Sequence, residues 1–463
     1  MLQCNWNRAT REGTELEHPV NPEHFSFHSA QQIMKRIAIL ASLSILSGMG
    51  SFAGCRKPSA EQSWHEPNYL FAEVMEISQQ EEMDKPLAEA RALLTEWFGT
   101  IDNPKIPEVL NDSEFEDLFS FENVKLAAGE PSKPGLYVKR QCASCHGPTG
   151  QGRGPVAASQ DPYPRDFRAG VFKFKTSPRS AKPLKEDIEH VLRKGLSGSQ
   201  MPVFSDLSDQ EIKALVDYVV FLSVRGEFER KLLQNAAIES PGESIYDVAL
   251  LGNNTPDAKK ALEDQRTNAS DMLTAIAERW IHAPDAVEEY PPPDFPLYGS
   301  ASEDQQVALQ ESIAKGKELF VKETSACSKC HGVNADGVST QLPDYDDWTK
   351  EWTTKIELSP IYLNELSPLM ARGGMKPQAL KPRNIVEGHL RGGREPSDIY
   401  RRIRYGIAGS PMPAANIVTS RDEPGLTEDD VWHLVNYVLS IAQVPPPPKP
   451  VSSDSTGTVA QSK

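Results

Sequence analysis

Hydrophobic positions along this chain fall into three patterns. One is a near-continuous apolar run that starts at Ile37, directly after Lys35 and Arg36, and fades near Gly54. The second is helical spacing. Ile212, Leu215, Val216 and Val219 line one face of a helix predicted to start near Ser208, and Val431, Leu434, Val435 and Val438 repeat that spacing after Thr427. Ser208 with Glu211 forms a capping box, a local signal for a helix start. Tyr218 and Tyr437 hold matching places in the two helices. The third pattern is polar sequence with scattered apolar residues. Residues 56–125 read as acidic and partly helical, and 226–300 as a helical, Pro-rich connector ending in Tyr290-Pro-Pro-Pro. From Pro445 the chain is proline followed by Ser/Thr-rich polar sequence, which predicts a disordered tail.

The early apolar run predicts export. A basic start, a short apolar stretch and small residues before a cleavage point describe a secretory signal. A spanning helix needs about 20 strongly apolar residues, and this stretch is shorter and contains Ser and Gly. Phe52-Ala53-Gly54-Cys55 resembles a bacterial lipobox, with Phe52 where an aliphatic residue is usual. The resemblance implies that Cys55 becomes a lipidated first residue, which would anchor the protein in the periplasm or at the outer face of a membrane. Residues 1–33 are polar and carry His18, His24 and His28, so Met34 is an alternative start.

A duplication organises the remainder. Cys142-Ala-Ser-Cys145-His146-Gly147 is matched by Cys327-Ser-Lys-Cys330-His331-Gly332, each preceded by an amphipathic stretch with an aromatic, Tyr137 or Phe320. Pro164-Arg165-Asp166-Phe167 is matched by Pro382-Arg383-Asn384-Ile385. Residues 187–202 then align without gaps on 398–413, and eight of the sixteen positions are identical. That is a duplicated domain and not a short-period solenoid. Cys142 to Met201 spans 59 residues, whereas Cys327 to Met412 spans 85, the excess falling around Trp348, Trp352 and Met370.

Composition narrows the class. With 463 residues and 38% hydrophobic content the chain can hold two or three cored domains. Its formal charge of −16 argues against nucleic acid as a partner, because phosphate binding needs basic surface. Removing residues 1–54 leaves that charge unchanged. Six cysteines are too few to staple a chain of this length with disulfides.

The chemistry lies in the two Cys-x-x-Cys-His motifs, the pattern of c-type haem attachment. Two thiols about one helical turn apart can add to two vinyl groups on one porphyrin edge, and the adjacent histidine then faces the iron. Chance supplies roughly 0.0017 such matches in a chain of this composition, so two in duplicated contexts are not accidental. A zinc ribbon needs cysteine pairs about 15–20 residues apart, whereas these lie 185 apart. A thioredoxin-type site needs a βαβ setting, and neither pair has one. Four cysteines thus serve two haems (Cys142, Cys145, Cys327, Cys330), with His146 and His331 as proximal ligands.

The sixth ligands are predicted to be Met201, in Gly-Ser-Gln-Met-Pro, and Met412, in Gly-Ser-Pro-Met-Pro. Most methionines fill cores; these two sit in matched polar loops where glycine permits close approach and proline stiffens the backbone. Met370 and Met375 are rivals for the second haem. Arg165 and Arg383 are candidates for pairing with haem propionates, since a planar guanidinium suits a carboxylate. His65, His190, His282, His389 and His433 lack repeat partners and read as surface or core residues.

On these residues each repeat resembles a class I cytochrome c domain, and the whole resembles bacterial dihaem cytochromes c. The likeness covers about 126–225 and 302–443. It implies an all-α fold of two tandem helical haem domains, with a helical or irregular N-terminal region and linker. The expected division is leader 1–54, N-terminal region 55–125, haem domain 126–225, linker 226–301, haem domain 302–446 and tail 447–463. The expected cofactors are two covalently attached haems c. The expected role is one-electron transfer to and from redox partner proteins of a respiratory chain, carried out by a carrier and not an enzyme. The rivals are a haem subunit of a larger respiratory or dehydrogenase complex, a dihaem peroxidase and a haem sensor, the last two of which need an open or displaceable iron position.

Overall fold

The computed structural model describes residues 64–341, 344–420 and 422–443. The leader 1–54, the lipobox cysteine Cys55 and the tail 447–463 lie outside the described residues. The described architecture is all-α. Its only strand pairs are two short antiparallel turns, Gly99–Thr100 with Asn103–Pro104 and Gly129–Glu130 with Lys133–Pro134, among the described residues. No described helix is long and apolar enough to cross a membrane.

Thirteen helices carry the argument below. Helices α1 (Tyr69–Gln79), α2 (Asp84–Phe98) and α3 (Phe121–Ala128) come first, followed by the one-and-a-half-turn α4 (Cys142–His146), then α5 (Lys185–Lys194), α6 (Asp209–Gln234) and α7 (Pro256–Ile281). The second half holds α8 (Gln306–Val321), α9 (Cys327–His331), α10 (Asp347–Glu351), α11 (Leu363–Ala371), α12 (Pro396–Tyr405) and α13 (Glu428–Ile441).

Helix α6 starts where its capping box places it. The Glu211 N–H donates to Ser208 Oγ at 3.3 Å, and the Ser208 N–H donates to the Glu211 carboxylate at 2.9 Å. Thr427 and Asp430 close the same reciprocal pair at the start of α13, at 3.3 and 3.0 Å. The duplicated Asp187 and Asp398 have a matching local duty. Each carboxylate accepts the N–H three residues back, Leu184 at 2.9 Å and Glu395 at 3.0 Å, satisfying donors that a helix start leaves free.

The segments flanking the first repeat are built into its core. Phe71, Leu93, Leu94 and Phe98 from α1 and α2 join Leu215, Tyr218, Phe221 and Phe228 of α6 and Leu273 and Trp280 of α7 in one buried cluster. Two consequences differ from the sequence expectation. Helix α6 runs past the expected domain boundary at 225 and continues to Gln234, buried along most of its length. Residues 226–301 are more than a linker, because α7 lays Leu262, Ala269, Leu273, Ile276 and Trp280 against that core. The physical reason is area: α6 is apolar on more than one face, and its second face needs a cover that the haem repeat alone does not provide.

The second repeat has its own cluster, with Phe320, Ile399, Tyr400, Val431, Leu434, Val435 and Tyr437 at its centre. Helices α8 and α13 cross closely at Gly316, where an added Cβ would meet the His433 carbonyl oxygen at 2.0 Å. The insertion of this repeat packs away from its own core. Trp352, Ile356, Leu366 and Leu369 enclose Val74 of α1 in a third cluster. Arg230 with Glu351 at 3.1 Å, and Arg372 with Glu73 at 3.3 Å, flank that seam. The insertion therefore ties the second repeat to the N-terminal region.

Candidate haem sites

Both attachment motifs adopt one local geometry. Helices α4 and α9 each begin after a residue with left-handed backbone, Gln141 at φ 59° and Ala326 at φ 54°, and each ends at a glycine with φ 76°. The helical turn sets each pair of thiols on neighbouring positions of one face. All four cysteines are free of disulfides. Burial pushes the Cys142 thiol up to about 12 and raises Cys327 as well.

The two histidines are oriented identically. His146 Nδ1 lies 2.9 Å from the Arg165 carbonyl oxygen, and His331 Nδ1 lies 2.9 Å from that of Arg383. A carbonyl can only accept, so Nδ1 carries the proton and Nε2 keeps its lone pair, the form a metal takes. Burial lowers both imidazoles below the usual range, with those same backbone hydrogen bonds opposing the shift in part, and so favours the neutral ring. His146 also stacks on Phe167 with ring centroids 4.7 Å apart. The aromatics ahead of the motifs meet those of the closing helices, Tyr137 with Tyr218 at 5.2 Å and Phe320 with Tyr437 at 5.4 Å.

The methionine loops match bond for bond. The Leu196 N–H donates to the Met201 carbonyl, and the Ile407 N–H to that of Met412, both at 3.1 Å. Ser199 and Ser410 staple each loop internally. Their hydroxyls donate to Leu196 and Ile407 carbonyls at 2.7 and 2.9 Å and accept the Met201 and Met412 N–H groups at 3.2 and 3.3 Å. Both methionines are half-buried, and Met201 packs on the same core cluster as Cys142. Met370 is occupied elsewhere, against the Val74 and Trp352 cluster; Met375 is half-buried.

Arg165 and Arg383 orient the histidines through their carbonyls, a role independent of side chain. The Arg165 guanidinium lies 3.7 Å from the centre of the Trp348 ring, and the Lys173 ammonium approaches the same ring at 4.7 Å. Burial holds Arg165 down at about 10; burial and the neighbouring Arg165 charge bring Lys173 to about 7. Asp346 attracts both cations. A half-buried guanidinium with an ammonium beside it has the chemistry to pair with haem carboxylates. Together with free thiols and oriented imidazoles, the residues present fit covalent haem. Among the described residues no cluster of His, Cys, Asp and Glu offers an alternative metal site.

Comparison with known proteins finds cytochrome c-type families in both halves of the chain. The family described as "Cytochrome C oxidase, cbb3-type, subunit III" matches residues 132–219, and the family described as "Cytochrome c" matches residues 313–386. The first match contains Met201 and the second stops before Met412. A relative from Azospirillum sp. (strain B510), the cbb3-type cytochrome c oxidase subunit CcoP, is 28% identical over 185 residues, which is 38% of this chain and 52% of that protein. The chain therefore spans about half the length of that relative. A chain of the Kuenenia stuttgartiensis reducing HAO-like protein complex Kustc0457/Kustc0458 is 23% identical, covers 70% of this chain and 97% of its own, and superposes with a TM-score of 0.38. This protein carries two cytochrome c-type domains in tandem. It binds two covalent haems c and has a role in haem electron transfer.

Proposed function

We propose that this protein is an exported, lipid-anchored dihaem carrier that moves single electrons at the outer face of a bacterial membrane, with His146 and Met201 holding one iron and His331 and Met412 the other. When bound, each haem supplies a ferric/ferrous couple. The chain's own residues do the tuning. Arg165 and Arg383 carbonyls fix the imidazoles, the stapled loops present soft thioether sulfur, and the helical cores exclude water. The observation that carries this reading is the bond-for-bond match of the two methionine loops, together with the matching orientation of the two histidines.

A carrier needs both coordination positions filled, whereas a peroxidase or a gas sensor needs one open. Carbon monoxide added to the reduced protein is expected to bind slowly and well below one equivalent per haem. Rapid stoichiometric binding at either haem would remove that haem from the carrier reading. The reading as a subunit of a larger complex is favoured by the Azospirillum relative, which is named as an oxidase subunit; such a subunit would use the same two sites. The anchor has its own test. Cys55→Ser should move the protein from membrane to soluble fraction, and continued membrane attachment would sink the lipid assignment.

A further inference from the structure

Each methionine loop is gripped by side chains of the opposite repeat. Arg179, from the first repeat, donates through Nη1 to the Ile407 and Met412 carbonyls at 2.8 and 3.0 Å, and through Nη2 to the Ser410 carbonyl at 3.1 Å. In the other direction, Arg391 of the second repeat donates through Nε to the Ser197 carbonyl at 3.2 Å and through Nη2 to that of Gly198. His389 Nδ1 completes this grip by pairing with Ser197 Oγ at 2.7 Å. Arg179 stands eight residues before Asp187 and Arg391 seven before Asp398, so both project from the segment that leads into the helix before the methionine loop. The exchange is reciprocal.

The loops turn tightly beside these contacts, Gly198 against His389 of the opposite repeat and Gly409 against Trp348 of its own. Gly198 and Gly409, identical in the duplication, have φ of 66° and 70°. An added Cβ at Gly198 would come within 2.9 Å of His389, and one at Gly409 within 2.4 Å of Trp348. Both loops thus turn tightly and admit a side chain against the backbone just before the methionine. The carbonyls that Arg179 engages include that of Met412 itself. A guanidinium held there immobilises the ligand-bearing backbone and places positive charge beside it, which disfavours the additional charge of a ferric iron.

We propose that the sixth-ligand loops are clamped in trans: Arg179 is a positioning residue for the Met412 site, and the His389–Arg391 pair positions the Met201 loop. This rests on methionine ligation at both sites and goes beyond it, because each repeat then helps to set the potential of the other repeat's haem. The two sites are linked through one seam, without a shared ligand.

The test uses the full-length protein with both haems. Met201→Ala and Met412→Ala first assign the methionine-to-iron charge-transfer band and the midpoint potential belonging to each haem. Arg179→Gln is then expected to remove most of the Met412-dependent band and to lower the second haem's potential, leaving the first haem's band in place. Arg391→Gln is expected to do the reverse. Arg179→Lys, which retains charge but not the fork, should restore the potential in part while the band stays weakened. Arginine effects confined to the haem of the same repeat, equal at both haems, or absent would overturn the trans clamp alone. Methionine variants that leave both bands intact would overturn the ligation reading and the clamp with it.

Discussion

A chain carrying Cys327→Ala and Cys330→Ala should retain one covalent haem in place of two, and intact mass should fall by one haem after correction for the substitutions. The local geometry makes the expectation sharp. The two thiols sit on the short helix α9 between a left-handed residue and a left-handed glycine, and neither is engaged in a disulfide. Nothing else nearby can replace them, since the remaining described cysteines belong to the first repeat. Cys142→Ala with Cys145→Ala should remove the other haem by the same logic. Because each repeat has its own buried cluster, loss of one attachment should leave the other haem covalently bound. Two haems retained by either double variant would refute the attachment assignment.

Met412→Ala should abolish one methionine charge-transfer band and lower one midpoint potential on the order of 0.1–0.3 V, inside the ~0.8 V range that axial ligands command. Thioether sulfur is soft and uncharged and favours ferrous iron, whereas water or another hard ligand in its place favours ferric. Met201→Ala should act equally on the other haem, since the two loops share the same backbone and serine hydrogen bonds. The vacated position should also admit carbon monoxide readily, so a single variant supplies three readouts. Spectroelectrochemistry that shows both couples unchanged in Met412→Ala, with the band lost instead in Met375→Ala, would transfer the ligand assignment to the insertion.

Legibility in the sequence followed the range of the interactions. The capping boxes at Ser208 and Thr427 were readable because both partners lie within one turn. The identity of Asp187 with Asp398, and of Ser199 with Ser410, flagged positions whose duties turn out to be equally local. Helix α7 was half-legible: Leu262, Ala269, Leu273, Ile276 and Trp280 recur at helical spacing, yet the polar residues between them and the prolines that follow suggested a connector. What that face covers depends on the extra apolar faces of α6, which a one-dimensional pattern shows as excess hydrophobicity without a direction.

The carbonyl contacts were beyond reach. Arg165 and Arg383 stood out by repetition and suggested side-chain chemistry, whereas their shared act is to present a main-chain oxygen to a histidine 19 or 52 residues away. Arg179, His389 and Arg391 have no motif, because their partners are main-chain oxygens or a serine about 190 to 230 residues distant. Trp348 announced an insertion; only folding sets it between Arg165, Lys173 and Gly409.

Sequence by itself determined the covalent chemistry of this protein and its doubling, since five adjacent residues on a single turn hold both thiols and the imidazole in any fold that keeps the turn. Tertiary structure alone decided that the insertion of one half packs on the start of the chain, and that each half closes its hand on the other's methionine loop. Every residue carries a carbonyl, so a hydrogen bond to one leaves no mark on the residue type that offers it.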